Sequence, residues 1–158
     1  MERRDEDPIA RTRSADAVRA AARLAKVAGS ALAEVDLTLP QYRVLVFLSL
    51  RERPASDVAS LLDVTPSTVT SVVDGLVGRG LVERRPDTTD RRRVALSLTP
   101  AGEHLVATGD RVVGERIDRL LARLEPVEAE AALVGLELLN VAMEAVLDER
   151  FGPPGPTP

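Results

Sequence analysis

Three consecutive arginines, Arg91, Arg92 and Arg93, close the run Asp87-Thr88-Thr89-Asp90-Arg91-Arg92-Arg93. A guanidinium is a planar, permanently charged fork whose donors fit phosphate oxygens and base edges in pairs. Three together are suited to gripping a polyanion. The run lies between residues 80–86 and 94–98, and a charged turn flanked by alternating segments predicts a β-hairpin. A charge run is ordinarily a solvated turn, in which aspartate and arginine pair for little net energy. The two roles are compatible here: Asp87 and Asp90 orient one guanidinium and leave the others aimed outward.

A second group of chemistry-bearing residues is Ser67, Thr68, Thr70 and Ser71. Thr65-Pro66 predicts a helix start, with Thr65 as cap and Pro66 in the first turn, running to residue 77 or 78. Val69, Val72, Val73, Leu76 and Val77 follow at spacings of three, one, three and one, which makes a single buried stripe. The hydroxyl residues and Asp74 fall on the opposite face. Helix starts favour Ser and Thr whatever the function, which accounts for Thr65 but poorly for a four-residue hydroxyl face. Hydroxyls bond phosphates or either purine edge, and the helix N-terminus itself attracts a phosphate. Ser67, Thr68, Thr70, Ser71 and Arg79, with Arg91, Arg92 and Arg93, therefore form the candidate DNA-binding set.

Other chemistry is sparse. The chain has no cysteine, which excludes disulfides, thiolate metal sites and thiol-based sensing. Its one histidine, His104, removes most zinc chemistry and reads as a surface or interface residue rather than a ligand or pH sensor. No nucleophile–base pairing, metal cluster or phosphate loop is visible, so neither an enzyme nor a cofactor or metal is expected. Tyr42 and Phe47 read as core, although a buried Tyr42 hydroxyl needs a partner and could border an effector pocket. Met143 reads as core or dimer packing.

The net charge of −4 over 158 residues argues at first against nucleic acid. Its distribution reverses that. Residues 38–104 carry nine Arg against eight Asp and Glu, and residues 79–93 carry six Arg against three. A local basic patch is enough for docking, and the acidity is displaced onto the two ends. No apolar run reaches the length of a membrane span, and the first residues, Met-Glu-Arg-Arg-Asp-Glu-Asp, do not form a signal peptide, so the chain is expected to be cytoplasmic.

The elements that must position these residues are mainly helical. Residues 9–35 are alanine-rich with apolar positions near helical spacing. A second helix is expected from Pro40 to about Arg51, stopped by Pro54, and a short third one over 57–62 with Ser56 as cap. With the helix over 65–78 this makes a helix-turn-helix, whose second helix normally enters the major groove. After the hairpin, Thr99-Pro100 caps and opens a helix to about residue 125, where Pro126 restarts another to about 149. Leu133, Leu136, Leu139, Met143 and Val146 mark the apolar side of that last helix. Residues 1–8 and 151–158 read as disordered tails.

Pro66-Ser67-Thr68-Val69-Thr70, Val73-Asp74-Gly75-Leu76, Arg79-Gly80-Leu81-Val82-Glu83-Arg84, Asp87-Thr88-Thr89-Asp90-Arg91-Arg92 and Leu96-Ser97-Leu98-Thr99-Pro100-Ala101-Gly102 together resemble the signature of the MarR family of bacterial transcription regulators. The resemblance covers residues 37–105; the Asp-x-x-Asp-Arg-Arg wing followed by Leu-Thr-x-x-Gly is its specific part. It implies a mainly α fold with a small β-hairpin wing: a winged helix-turn-helix, residues 37–99, flanked by dimerisation helices over 9–35 and 100–149. It also implies a homodimer on double-stranded DNA, wing arginines in the flanking minor grooves, and often a small-molecule inducer, whose binding residues stay unknown. One departure matters. Many relatives carry a long polar side chain where this chain has Ser71 and Gly75, and nothing over 67–75 can make the bidentate guanine contact. Gly75 in mid-helix costs up to about 1 kcal/mol against Ala and suggests a close backbone approach.

The dimer has an argument of its own. The end helices are too long to be buried by the core between them, and two-fold pairing is the commonest solution. It predicts a pseudo-palindromic operator with half-sites about one helical turn apart. The expected function is a DNA-binding, ligand-responsive repressor; the alternative is a winged-helix protein-interaction module without DNA binding.

Overall fold

The computed structural model describes residues 8–50, 53–62, 66–86 and 94–152. Among them the chain forms six α-helices and one small sheet. The first helix, α1, spans Pro8–Leu32, so Pro8 belongs to it rather than to the frayed end. A 3-10 turn over Ala33–Val35 follows, and Asp36 reverses the chain in the left-handed region at φ 55°. α2 spans Leu39–Leu50 and opens on a reciprocal cap. The Thr38 amide donates to Gln41 Oε1 at 2.9 Å, and the Gln41 amide donates to Thr38 Oγ1 at 3.4 Å.

After α2 comes a two-residue strand, β1, Arg53–Pro54. It lies at the edge of the sheet, where a proline does no harm to the ladder. α3, Ala55–Leu62, starts ahead of the expected boundary. Ser56 is therefore inside its first turn rather than its cap, and its Oγ donates to Asp57 Oδ1 at 3.4 Å. α4 spans Pro66–Gly78; Thr65, the expected cap, lies outside the described residues, as do Arg51 and the 63–64 connection.

A left-handed glycine ends α4. Gly80 has φ 68°, its amide donates to the Val77 carbonyl at 2.9 Å, and the Leu81 amide reaches Leu76 at 3.0 Å. That paired closure needs a residue without a Cβ penalty. It sends the chain straight into β2, Val82–Pro86, which pairs antiparallel with β3, Val94–Leu98. The register runs from Val82↔Leu98 to Pro86↔Val94. β3 is the central strand, because Arg53↔Leu96 and Pro54↔Ala95 add β1 on its other side.

Thr99 caps the fifth helix, α5, Pro100–Leu121. Its Oγ1 accepts from the Gly102 amide at 3.1 Å and donates to the Gly80 carbonyl at 2.7 Å. One threonine thus fixes both the helix start and the turn before the hairpin. α5 ends at Leu121, short of the expected 125. Glu125 and Glu128 then form a capping box for α6, Pro126–Phe151. Leu32, Leu45, Phe47, Val58, Leu76 and Leu96 belong to one core under the winged part of the molecule. α6 contributes no buried residue. Most of its expected apolar side is exposed, at Leu133, Leu139, Met143 and Val146, and Leu136 is half-buried. Phe151, expected to begin an unpacked tail, is instead the last residue of α6 and is half-buried.

Candidate nucleic-acid interface

The buried stripe of α4 is where the spacing put it. Val69, Val73 and Leu76 are buried, with Val72 and Val77 partly so. The helix is pinned by this stripe, so its opposite face is fixed toward solvent. Ser67, Thr68, Thr70 and Ser71 are all exposed on that face, together with Asp74. No apolar side chain interrupts it among the described residues of α4. The exposed surface is small, polar and set at the helix's N-terminal half, where backbone N–H groups already favour an anion.

The hairpin stands beside this face and is braced to it. Arg84 of β2 donates to Asp74 Oδ1 of α4 at 2.5 Å, and both side chains are about half exposed. Arg85 makes a similar contact to Glu83 at 2.5 Å within β2. Such surface pairs contribute little to stability. Their use is geometric: Arg84 fixes the strand against the helix, and it neutralises the one acid on the hydroxyl face. No local pattern signals this pairing, since ten residues separate the partners and they lie on different elements.

Arg79 is exposed and donates through Nη1 to the Asp36 carbonyl at 2.8 Å, which ties the end of α4 to the turn after α1. Asp87, Asp90, Arg91, Arg92 and Arg93 lie outside the described residues. The strands that lead to them are in place up to the Pro86↔Val94 pair. Gly75 meets nothing nearer to a built Cβ than Gln41 Nε2 at 3.9 Å. The close approach expected there is therefore not made within the chain.

A second feature lies away from this face. A cavity of about 620 Å³ opens between α2, α3 and α6, with Tyr42, Val46, Phe47, Leu61, Met143 and Leu147 in its wall. Arg43 and Arg150 also line it. Tyr42 is half-buried, and its hydroxyl donates to Asp110 Oδ1 of α5. Burial, reinforced by that hydrogen bond and the carboxylate charge, pushes the phenol well above its ordinary pKa. The Tyr42 ring lies against Gly109, where an added Cβ would come within 2.9 Å of it. His104 is exposed, as expected of a lone surface histidine. No cluster of three or more metal-ligating side chains occurs among the described residues. None of the described helices is long and apolar enough to cross a membrane.

The chain is similar to several known proteins. The MarR family profile matches residues 35–93, which run from the turn after α1 to the end of the arginine run. The transcriptional regulator HosA of Escherichia coli O157:H7 is 35% identical over 94 residues, covering 55% of this chain and 68% of HosA. Among solved structures, RV1404 from Mycobacterium tuberculosis superposes with a TM-score of 0.67 at 31% identity, over 90% of this chain and 98% of the other. The transcriptional repressor CouR, solved on a 23-mer DNA duplex, superposes with a TM-score of 0.63 at 30% identity, over 79% of this chain and 89% of CouR.

Proposed function

Because the chain belongs to the MarR family of winged-helix transcription regulators, we propose that it is a ligand-responsive repressor that binds a pseudo-palindromic operator as a homodimer. The observation that carries this reading is the exposed hydroxyl face of α4, held by a buried aliphatic stripe and braced by Arg84 to a hairpin whose connecting residues hold three arginines. Ser67, Thr68, Thr70 and Ser71 face the major groove and contact base edges and phosphates. Arg91, Arg92 and Arg93 enter the neighbouring minor groove, with Asp87 and Asp90 orienting them. Arg79 spends one donor on Asp36 and offers the rest to a phosphate.

The homodimer rests on α6. A helix of 26 residues without one buried side chain leaves Val134, Leu138 and Val141 in water. Such a surface is characteristic of an interface. The inducer site is the cavity between α2, α3 and α6, whose largely apolar wall, with Arg43, Arg150, Asn140 and Glu144 as its polar groups, suits a small, mainly apolar ligand. DNA bound to CouR supports the first part of this reading by analogy.

Replacing Arg91 and Arg92 with Ala tests it. Affinity for a duplex selected by the wild-type chain is expected to fall about ten- to a hundred-fold, and the slope of log K against log salt to flatten by about one to two. An unchanged slope and affinity remove the wing from the interface and favour a module that binds protein instead.

A further inference from the structure

α6 is attached to the rest of the molecule at its two ends. One end continues from α5 through residues 122–125, and nothing along its length is buried. The other end is seated on the winged part. Both phenylalanines of the chain meet there, Phe47 of α2 and Phe151 of α6, edge to face with ring centroids 5.1 Å apart. The Arg53 guanidinium lies 4.6 Å from the Phe47 ring centroid and 5.6 Å from that of Phe151. Its Nη1 donates to the Phe151 carbonyl at 2.9 Å. Arg53 is only 2% exposed. Burying a guanidinium is costly, and here two aromatic rings and a carbonyl meet it, which sets this contact apart from an incidental surface stack.

The far side of Arg53 is the sheet. Its backbone pairs with Leu96 of β3, the central strand, and β3 pairs with β2, which Arg84 braces to α4. The seat of α6 is thus continuous with both elements that face DNA. A helix of this length is about 39 Å long at 1.5 Å per residue. Over that length a difference of about 10° in the angle between α6 and the winged unit corresponds to a displacement of about 7 Å, roughly two base-pair steps.

We propose that Phe47, Arg53 and Phe151 form a clamp that sets the angle between α6 and the winged unit, and through it the half-site spacing the protein reads. This rests on the homodimeric DNA-binding reading above. Phe151 and Arg53 are then positioning residues, which touch no DNA and fix where the DNA-touching residues stand. The ring and the guanidinium do the fixing, so the clamp tolerates Tyr at 151 and fails with Ala.

The test uses the full chain, with duplexes selected by the wild type from a random pool and then rebuilt with one or two base pairs inserted between half-sites. The wild type is expected to lose at least ten-fold in affinity per inserted pair. Phe151→Ala is expected to bind the original duplex about ten-fold more weakly and to distinguish the spacings by less than about three-fold. Its affinity for unrelated duplex and its sedimentation as a dimer stay as in the wild type. Phe151→Tyr is expected to keep the wild-type pattern. Phe151→Ala with undiminished discrimination overturns the clamp and leaves the DNA reading standing; so does Phe151→Ala that no longer dimerises, which would make the residue one of assembly. A wild type that selects no duplex overturns the DNA reading and the clamp with it.

Discussion

Tyr42 is the chain's one tyrosine, and its hydroxyl joins α2 to α5 through Asp110. Its pKa in the fold is raised, first by burial and then by the Asp110 hydrogen bond and charge. The folded state therefore holds the proton longer than the unfolded chain, whose tyrosine titrates near its ordinary value of about 10. The contribution to stability is complete below that pH and is lost as the pH rises above it, where the unfolded chain ionises first. Phenolate absorbance, which reports this residue alone, is expected to rise only at the alkaline unfolding transition. Tyr42→Phe is expected to show a shallower alkaline loss of stability, measured by urea midpoints across that range. On the hydroxyl face of α4, proposed to meet DNA, Asp74 is the acid that Arg84 neutralises. Asp74→Ala removes a charge that repels phosphate and frees a guanidinium beside the groove. Its affinity for non-operator duplex at low salt is expected to rise several-fold, with stability changed by less than about 1 kcal/mol. A fall in that affinity would show that Asp74 acts through bracing rather than charge.

Two glycines separate what elements need from what they tolerate. At Gly102 an added Cβ would lie 2.2 Å from the Leu81 carbonyl oxygen, where α5 rests on the turn before the hairpin. Gly102→Ala is expected to cost about 1–3 kcal/mol, read as a lowered thermal midpoint. Gly75 has open space around it, and Gly75→Ala is expected to add about 0.5–1 kcal/mol. The opposite signs are the check. These elements were legible wherever the chain carries its own punctuation. Thr99-Pro100 marked the start of α5, Pro66 that of α4, and the aliphatic spacing over 69–77 gave the buried side of α4. The strands around the arginine run were read to within a residue or two for the same reason. β1 was not, because two residues carry no periodicity and Arg53 is a strand residue only by pairing with Leu96. Ser56 misled as a cap because Ser is equally at home in a first turn. The tail reading at Phe151 failed on composition: the Pro and Gly that follow it say nothing of a ring that finds Phe47 and Arg53 far back in the chain. Arg84–Asp74 and Arg79–Asp36 were invisible for that reason too, since pairing across elements leaves no local pattern.

Across the whole molecule, α1 and α5 share in burying apolar side chains with the winged part, and α6 does not. The winged part buries its aliphatic residues in a single cluster, while α6 has apolar residues on opposite sides and buries none. Leu139, Met143 and Leu147 line the cavity over α2. Val134, Leu138 and Val141, at helical spacing on another face, are exposed at 46%, 65% and 62%. A second copy of the chain is the proposed cover for that face. Leu138→Glu is expected to weaken dimerisation at least a hundred-fold by sedimentation while leaving the helical circular-dichroism spectrum intact. A dimer of unchanged affinity would move the interface elsewhere. Net acidity is no obstacle to the proposed function, because residues 79–93 carry six Arg against three acids and a local basic patch is enough for docking. DNA reading by a two-fold dimer is checked by selection of duplexes from a random pool by the 158-residue chain, followed by footprinting and stoichiometry on the enriched sequence. One enriched pseudo-palindrome is expected, with two chains bound per duplex, half-sites about one helical turn apart, and protection extending into the flanking minor grooves. A pool that does not enrich, or a non-palindromic site bound by one chain, would contradict it.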